Sequence, residues 1–290
     1  PRASLSYAIS DDRKWRWNTS IGKYYKMPTY TMLGYQNNNG EYLNKNNKYT
    51  ESKHFVTGID YNVSNSSKVS IEAFLKKYDN FPVSVIDQVS LANKGGDFEV
   101  LGNEEVSAVG KGKTYGIEAL FQQKLTNNFY GIFSYTYFHS KFSGFTSEYL
   151  PSVWDSRHLV SFSNGYKLNN NWELSSRLRF AGKTPYVPYD LNASMMSYPE
   201  MILDYSRLGE EKLDNFSQLD IRVDKKWNKE NISISFYFEI LNILTQKIPL
   251  PPEYGLSRDS TGDIIMPMEL TEVDINRNTP IPTFGFSLDF

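Results

Sequence analysis

The segment Thr283-Phe284-Gly285-Phe286-Ser287-Leu288-Asp289-Phe290 places large apolar residues at even positions and small or polar residues at odd positions. Side chains along a β-strand point alternately to the two faces of the sheet, so this pattern predicts a strand with one apolar and one polar face. In a soluble sheet the apolar face packs against a core, whereas in a membrane barrel it contacts lipid. Periodicity alone does not distinguish these two environments.

The same two-residue period recurs along the chain and marks eleven strand-like segments. In residues 171–181, for example, Trp, Leu and Phe side chains share one face, whereas Glu173, Arg177 and Arg179 share the other. The predicted strands are residues 2–9, 13–24, 53–64, 67–79, 113–126, 128–141, 156–167, 171–181, 217–227, 231–243 and 282–290. The predicted fold class is therefore all-β.

The connections between these segments alternate strictly between short and long. The short ones hold residues 10–12, 65–66, 127, 169–170 and 228–230, and the long ones span about 25–52, 80–112, 142–155, 182–216 and 244–281. Bacterial outer-membrane barrels have short periplasmic turns and longer extracellular loops, whereas Greek-key sandwiches show no such parity. The sequence therefore predicts an antiparallel transmembrane β-barrel whose apolar faces contact lipid and whose charged faces line the lumen.

Composition is compatible with this fold and excludes other classes. A net charge of -2 and a pI near 6.0 give no reason to expect nucleic acid as a partner. No apolar run of about 18 residues exists, so no transmembrane helix is predicted. The absence of cysteine excludes disulfides, thiol catalysis and Cys-ligated metals. Aromatic residues make up 15% of the chain, and girdles at the two membrane interfaces would use many of them.

The number of strands indicates a partial barrel. Eleven is odd, whereas single-chain bacterial outer-membrane barrels have even numbers of strands. Twice eleven gives about the 22 strands of plugged outer-membrane transporters. The start Pro1-Arg2-Ala3 also lacks the features of a signal peptide. We therefore expect residues 1–290 to be the C-terminal portion of such a barrel, with the plug domain and the N-terminal barrel strands absent from this chain.

Several stretches resemble the C-terminal barrel half of TonB-dependent outer-membrane transporters, in particular the branch with very large barrels. These stretches are Pro1-Arg2, Gly22-Lys23-Tyr24-Tyr25-Lys26-Met27-Pro28, Lys76-Lys77-Tyr78-Asp79-Asn80-Phe81-Pro82, Gly112-Lys113-Thr114-Tyr115-Gly116-Ile117-Glu118, Tyr149-Leu150-Pro151-Ser152-Val153-Trp154-Asp155-Ser156-Arg157-His158, Phe238-Glu239-Ile240-Leu241-Asn242-Ile243 and Phe290. The resemblance implies the outer membrane of a Gram-negative bacterium as the location. It also implies that Phe290 is the barrel-assembly signal.

The resemblance implies active import of a bulky nutrient such as a glycan or a peptide. The implied partners are the N-terminal barrel half with its plug domain, the inner-membrane TonB–ExbB–ExbD complex and outer-membrane lipid, and a surface lipoprotein over the loops remains open. No cofactor and no enzymatic activity are predicted. Two alternatives remain: a passive porin or structural scaffold, and an outer-membrane hydrolase, for which His158 with Ser156 is the candidate pair.

The long connections hold the candidate ligand-binding residues, because loops on a rigid scaffold often carry recognition. Tyr30, Tyr35 and Tyr42 lie among many Asn and Gln residues in the first long loop, where aromatic faces suit sugar rings and amides suit hydroxyl groups or peptides. Tyr186 and Tyr189 follow prolines that restrict the backbone of the fourth long loop. The alternative is that these tyrosines pack the loops or form the outer aromatic girdle.

Charged residues on the polar strand faces are expected to line the lumen and to hold a plug through salt bridges. These residues are Arg177, Arg179, Asp220, Arg222, Asp224 and Glu239. Asp155 and Arg157 are expected to form a structural ion pair beside Trp154. The three histidines, His54, His139 and His158, lie on separate segments without metal-ligand spacing, and no catalytic or nucleotide-binding motif is present.

Overall fold

The computed structural model describes residues 1–95, 102–274 and 278–290. Its main sheet follows the order of the chain, and every pair of neighbouring strands is antiparallel. The strands of this sheet are β1 (Arg2–Ala8), β2 (Trp15–Lys26), β3 (Thr50–Asn62), β4 (Ser67–Ser84), β5 (Val106–Thr126), β6 (Phe129–Ser143), β7 (Leu150–Pro151), β8 (His158–Leu168), β9 (Trp172–Ala181), β10 (Phe216–Asn228), β11 (Ser233–Leu241) and β14 (Ile281–Asp289). A separate hairpin is formed by β12 (Glu253–Leu256) and β13 (Leu270–Val273). All eleven predicted strands are confirmed.

The strands differ from the predicted segments mainly at the long-loop end. β4 continues to Ser84 and β5 begins at Val106, so this hairpin extends well beyond its predicted limits. Two register shifts between Tyr78 and Val83 interrupt the ladder, and these irregularities obscure the two-residue period. Within the described residues β1 and β14 each pair on one side only, so the sheet is open rather than closed into a barrel.

Where the structure describes them, the long loops contain three short α-helices, α1 (Tyr30–Leu33), α2 (Leu91–Lys94) and α3 (Leu191–Ser197). The Ser90 hydroxyl accepts from the backbone N–H of Ala92, and the Asp190 carboxylate accepts from that of Ala193, so α2 and α3 have side-chain N-caps. Among the described residues, no helix has the length and apolar character needed to cross a membrane.

The short turns have sequences suited to tight hairpins. Asn127 and Asn128 connect β5 to β6 with φ angles of 48° and 70°. Asn tolerates the left-handed region better than most residues, and two consecutive residues with positive φ match the twist of the flanking strands. Asn170 and Asn171 adopt the same region between β8 and β9. The sequence signal for these turns is therefore local.

The apolar face of the sheet is exposed over its whole width. Phe286 is 68% exposed and Phe238 is 42% exposed, and the register places Phe236 directly opposite Phe286 on the same face. Ile221 lies on this face too, directly opposite Ile240, and is half-buried. A soluble protein would bury these side chains, so the exposed face indicates a lipid-facing surface.

Aromatic side chains mark the short-turn edge of the apolar face. Trp15 stacks on Tyr61 with ring centroids 4.3 Å apart. The Lys225 ammonium lies 4.9 Å from the ring centre of Trp172 and 5.5 Å from that of Trp227. Amphipathic aromatic rings and a cation above them are typical of a membrane–water interface. This edge is therefore the periplasmic girdle.

Candidate ligand-binding site

The five long loops lie at one end of the sheet, and two buried asparagines connect the first three of them. The Asn44 side chain donates to Met32 O (2.9 Å) and to Glu104 O (2.7 Å), and its Oδ1 accepts from the Val106 N–H (3.0 Å). These bonds join the loop between β2 and β3 to the loop between β4 and β5. Because Asn44 is fully buried, its amide replaces water for three backbone groups.

Asn93 has the same role at the next loop. Its side-chain amide donates to Leu150 O (3.0 Å) and to Pro151 O (2.8 Å), and the Val153 N–H donates to Ala92 O (3.0 Å). The loop between β4 and β5 is thus attached on both sides. Its helix α2 forms part of the support for the cavity described below.

An ionic cluster lies beside these contacts. The Lys94 ammonium is 2.5 Å from Asp87 Oδ2 and 2.6 Å from Glu104 Oε1, and it lies 5.8 Å from the ring centre of Tyr205. Burial lowers the pKa of Lys94, but the hydrogen bonds to Asp87 and Glu104 outweigh it and hold the pKa above its ordinary value. Lys94 therefore stays charged and crosslinks the loop.

A cavity of about 1060 Å³ opens between the loops above this cluster. Its described wall combines tyrosines, prolines and aliphatic residues with a few charges. The charged and aromatic members are Asp87, Lys94, Glu104, Tyr186, Tyr189, Glu200 and Tyr205, and the prolines are Pro185, Pro199, Pro249 and Pro251. A large concave surface with apolar walls and a few placed polar groups is the usual form of a ligand site.

The loop between β9 and β10 presents the two predicted tyrosines to this cavity. It folds back on itself, with Leu213 N–H donating to Thr184 O (2.9 Å) and Asp204 N–H donating to Pro188 O (2.8 Å). Burial raises the pKa of Tyr186, and the nearby Glu211 adds to the effect, so its phenol stays protonated. The ring of Tyr189 meets that of Tyr254 edge-on at 6.1 Å.

The other predicted ligand residues lie elsewhere. Tyr30, Tyr35 and Tyr42 belong to the loop between β2 and β3 and are absent from the described wall of the cavity. Tyr30 is 81% exposed, and Tyr42 forms an isolated bridge with Gln36. They stay predictions for a second contact surface. Asn44, Asn93 and Lys94 were missed, because nothing in the sequence separates them from the many other polar residues of these loops.

The predicted lumen residues form an ionic network on the polar face. Asp220 is buried and accepts from the Asn242 N–H (3.0 Å), while its Oδ2 lies 3.0 Å from Arg177 Nη2 and 3.5 Å from Arg179 Nη2. A second cavity of about 570 Å³ touches β5, β6, β8, β9, β10 and β11, and its wall includes Arg177, Asp220, Arg222 and Glu239. The sheet therefore curves around its polar face.

Neighbouring charges continue this network along β10 and β11. Arg222 forms a two-pronged contact with Asp224, at 2.6 Å and 2.8 Å, and its guanidinium lies 3.8 Å from the ring centre of Tyr237. Glu239 pairs with Arg222 in the register. All six predicted residues thus lie on one face.

Replacing Asp220 with Asn is expected to destabilise the folded barrel by about 2 kcal/mol. The substitution removes the carboxylate that Arg177 and Arg179 share. Because both arginines are partly hydrated, the destabilisation stays below the value for a fully buried ion pair. Urea unfolding of the full-length receptor measures the difference. The matched control is Asp214→Asn in an exposed loop, which should change stability by less than about 0.5 kcal/mol. Equal losses in both variants would contradict the role assigned to Asp220.

The predicted ion pair beside Trp154 is also present. Arg157 Nε lies 3.2 Å from Asp155 Oδ1, and Asp155 is buried. Burial raises the pKa of Asp155, and the Arg157 charge opposes that shift. Two histidines lie nearby: His139 contacts the Arg157 guanidinium, and the ring of His158 packs against that of Tyr137. Among the described residues, no group of three His, Asp or Glu side chains is arranged to hold a metal.

An open antiparallel sheet with an exposed apolar face, an ionic inner face and five long loops at one end defines a part of an outer-membrane β-barrel. The sequence model of the family described as "TonB dependent receptor-like, beta-barrel" matches residues 1–243. The chain therefore belongs to this family, and its location is the outer membrane of a Gram-negative bacterium. No curated protein matches the sequence.

Solved structures of outer-membrane receptors share this fold. The ferripyoverdine receptor of Pseudomonas aeruginosa superposes with a TM-score of 0.60 at 15% identity, over 99% of this chain and 32% of that one. The ferric-catecholate import receptor Fiu of E. coli K12 gives 0.59 at 11%, over 99% and 34%. The ferric yersiniabactin uptake receptor FyuA of Yersinia pestis gives 0.58 at 13%, over 100% and 37%. The chain thus spans about a third of each of these structures, and the similarity concerns the fold.

Proposed function

We propose that this chain supplies the C-terminal strands and loops of a TonB-dependent transporter that imports a bulky nutrient across the outer membrane. The family assignment supports this activity. In the described part of the chain the outer edges of β1 and β14 are unpaired, which supports a barrel of about 22 strands completed by residues outside this chain. The plug domain comes from the same outside region, and the TonB–ExbB–ExbD complex acts on it.

The single observation that carries the proposal is the cavity among the loops. Its wall comes from several separate loops, and it is large enough for a ligand of several rings or residues. Tyr186 and Tyr189 supply flat faces, and the surrounding prolines limit the entropy lost when the loops close on a ligand. The ionic network around Asp220 lies on the inner face, where it is available to a plug.

Charge supports a neutral or cationic ligand, such as a glycan or a peptide. Between the strand ends that the structure defines, the five long loops (residues 27–49, 85–105, 144–157, 182–215 and 242–280) hold 20 of the 33 acidic residues of the chain but only 10 of its 31 basic residues. Three of the four charged residues on the described cavity wall are acidic. An acidic surface repels anionic solutes and attracts cationic ones, and it tolerates neutral sugars. The similar receptors named above are those of ferripyoverdine and ferric catecholates, and a free anionic iron complex fits this acidic surface poorly.

Replacing Tyr186 with Ala in the full-length receptor is expected to weaken ligand binding about 30-fold. The loss corresponds to about 2 kcal/mol, which is typical of a central aromatic contact. Binding and uptake of labelled neutral oligosaccharides, cationic peptides and ferric siderophores identify the ligand class. The matched control is Tyr30→Ala, which removes the same ring from an exposed site outside the cavity.

Two results would contradict the proposal. If Tyr30→Ala weakened binding as much as Tyr186→Ala, recognition would not depend on the cavity. If uptake by the wild-type receptor continued unchanged after the proton-motive force was collapsed, the barrel would be a passive pore or a structural scaffold. Exclusive binding of ferric siderophores would leave the transporter assignment intact and reject the glycan or peptide ligand.

A further inference from the structure

Five lysines lie directly opposite one another across five adjacent strands, an arrangement not visible in the linear sequence. The register pairs Lys23 with Lys53, Lys53 with Lys77, Lys77 with Lys113, and Lys113 with Lys141. We call this row the lysine belt. Directly paired residues share one face, so all five side chains extend from the same surface of the sheet.

The face in question is the lipid-facing one. The row two residues closer to the short turns consists of Ile21, Phe55, Leu75, Tyr115 and His139, which are paired with one another in the same way. On β2 the belt lies eight residues from Trp15 in the periplasmic girdle, or about 26 Å along the strand. The belt therefore lies at the outer edge of the apolar band, where lipid headgroups begin.

Like charges placed directly opposite one another repel, so the belt needs counter-charges. Glu51 supplies one, with its carboxylate 3.0 Å from Lys23 and 3.1 Å from Lys53, and Asp79 supplies another at 3.1 Å from Lys53. In the part of the chain that the structure describes, Lys77, Lys113 and Lys141 form no ion pair. Lys113 instead lies 4.5 Å from the ring centre of Tyr149. Within the described residues, two of the five lysines of the belt are thus compensated by carboxylates and three are not.

The belt also differs in charge from the loops that lie beyond it. The loops above it are acidic, whereas the strands and short turns hold 21 of the 31 basic residues and only 13 of the 33 acidic ones. The uncompensated lysines therefore do not serve the ligand cavity, which opens farther out among the loops. At their position on the lipid-facing surface, these lysines lie next to the headgroup layer of the outer leaflet.

From this placement we infer that Lys77, Lys113 and Lys141 form a binding surface for phosphorylated lipid headgroups of the outer leaflet, with Lys23 and Lys53 at its compensated end. The row of aromatic and aliphatic side chains below the belt contacts the acyl chains of the same lipids. Each phosphate then supplies the negative charge that Glu51 and Asp79 supply on β3 and β4. The belt anchors the barrel at a fixed depth and surrounds it with anionic lipid.

The test is lipid binding to the full-length receptor in detergent, counted by native mass spectrometry with bisphosphorylated lipid A as the probe. The triple variant Lys77→Gln, Lys113→Gln, Lys141→Gln is expected to bind about 100-fold more weakly, because each lysine near an anionic surface contributes about fivefold. The same lysines changed to Arg should retain binding. Variants are compared only if they are correctly folded, which is judged by their resistance to denaturation by detergent.

The matched control removes three lysines at the opposite end of the strands, Lys167→Gln, Lys226→Gln and Lys229→Gln. It should bind lipid A as the wild type does. An equal loss in both variants would overturn the inference, and so would equally tight binding of dephosphorylated lipid A. Displacement of the lipid by an equal concentration of inorganic phosphate would also overturn it, because the surface would then recognise free phosphate. Should the triple variant fail to fold, Lys77→Gln alone must show about a fivefold loss.

Discussion

Replacing Asn44 with Ala is expected to detach the loop between β2 and β3 from the loop between β4 and β5 without unfolding the barrel. Three buried backbone groups, Met32 O, Glu104 O and the Val106 N–H, lose their partner. Each unsatisfied group costs about 1–3 kcal/mol, so the closed arrangement should lose about 3–5 kcal/mol after partial hydration. Hydrogen exchange at Val106 and the rate of proteolysis in residues 27–49 measure this opening.

The control for this experiment is Asn38→Ala, which removes an exposed amide from the same loop. It should leave exchange and proteolysis within about twofold of the wild type. The urea midpoint of the barrel should not change in either variant, since the long strands do not depend on Asn44. Unchanged exchange at Val106 in Asn44→Ala would show that Met32, Leu91 and Val106, the small buried cluster beneath the loops, are sufficient to hold the loops together.

The strands could be predicted from the sequence because their signals are local. Alternation of apolar and polar residues needs no knowledge of the partner strand, and Asn127 and Asn170 mark hairpin turns by their own backbone preference. The strict alternation of short and long connections then predicts which end of the sheet is periplasmic and which is extracellular. The same alternation predicts that Asp220 and Arg222 lie on one face of β10 and that Ile221 lies on the other.

The contacts between loops could not be predicted in this way. Asn44 and Asn38 are indistinguishable in the sequence, yet it is Asn44 that bonds to the backbone of Glu104, 60 residues away in the chain. The lysine belt depends on register, and a shift of one residue in any pair would place a lysine on the other face. Both features are fixed by tertiary structure, where a single sequence carries no positional signal.

The strands and the loops also contact different solvents, lipid and water, respectively. The strands turn their apolar side chains to lipid and so have little core of their own, while the loops bury Met32, Leu91 and Val106 as a soluble protein would. The ligand cavity is held in shape by this packing within the loops. A substitution in the loops should therefore change recognition without changing insertion, and a substitution on the strands should do the reverse.

Replacing Ile117 with Arg is expected to destabilise the inserted barrel by about 2–4 kcal/mol, because it places a charge on the lipid-facing surface within the apolar band. Ile117 is 53% exposed on β5 and pairs with Ala73 and Tyr137 on that face. Folding of the full-length receptor into vesicles, followed by urea titration, measures the loss. The neighbouring substitution Glu118→Arg is the control, since residue 118 points to the lumen and lies opposite Glu72.

Glu118→Arg should be neutral or slightly stabilising, because the new cation lies in a hydrated lumen beside a carboxylate. The two variants introduce the same side chain at adjacent positions, so propensity and length effects largely cancel in the comparison. The comparison therefore reports mainly on the solvent that each face of the sheet contacts. If Ile117→Arg were tolerated and Glu118→Arg were the destabilising change, the apolar face would pack against protein, and the assignment of lipid to that face would be wrong.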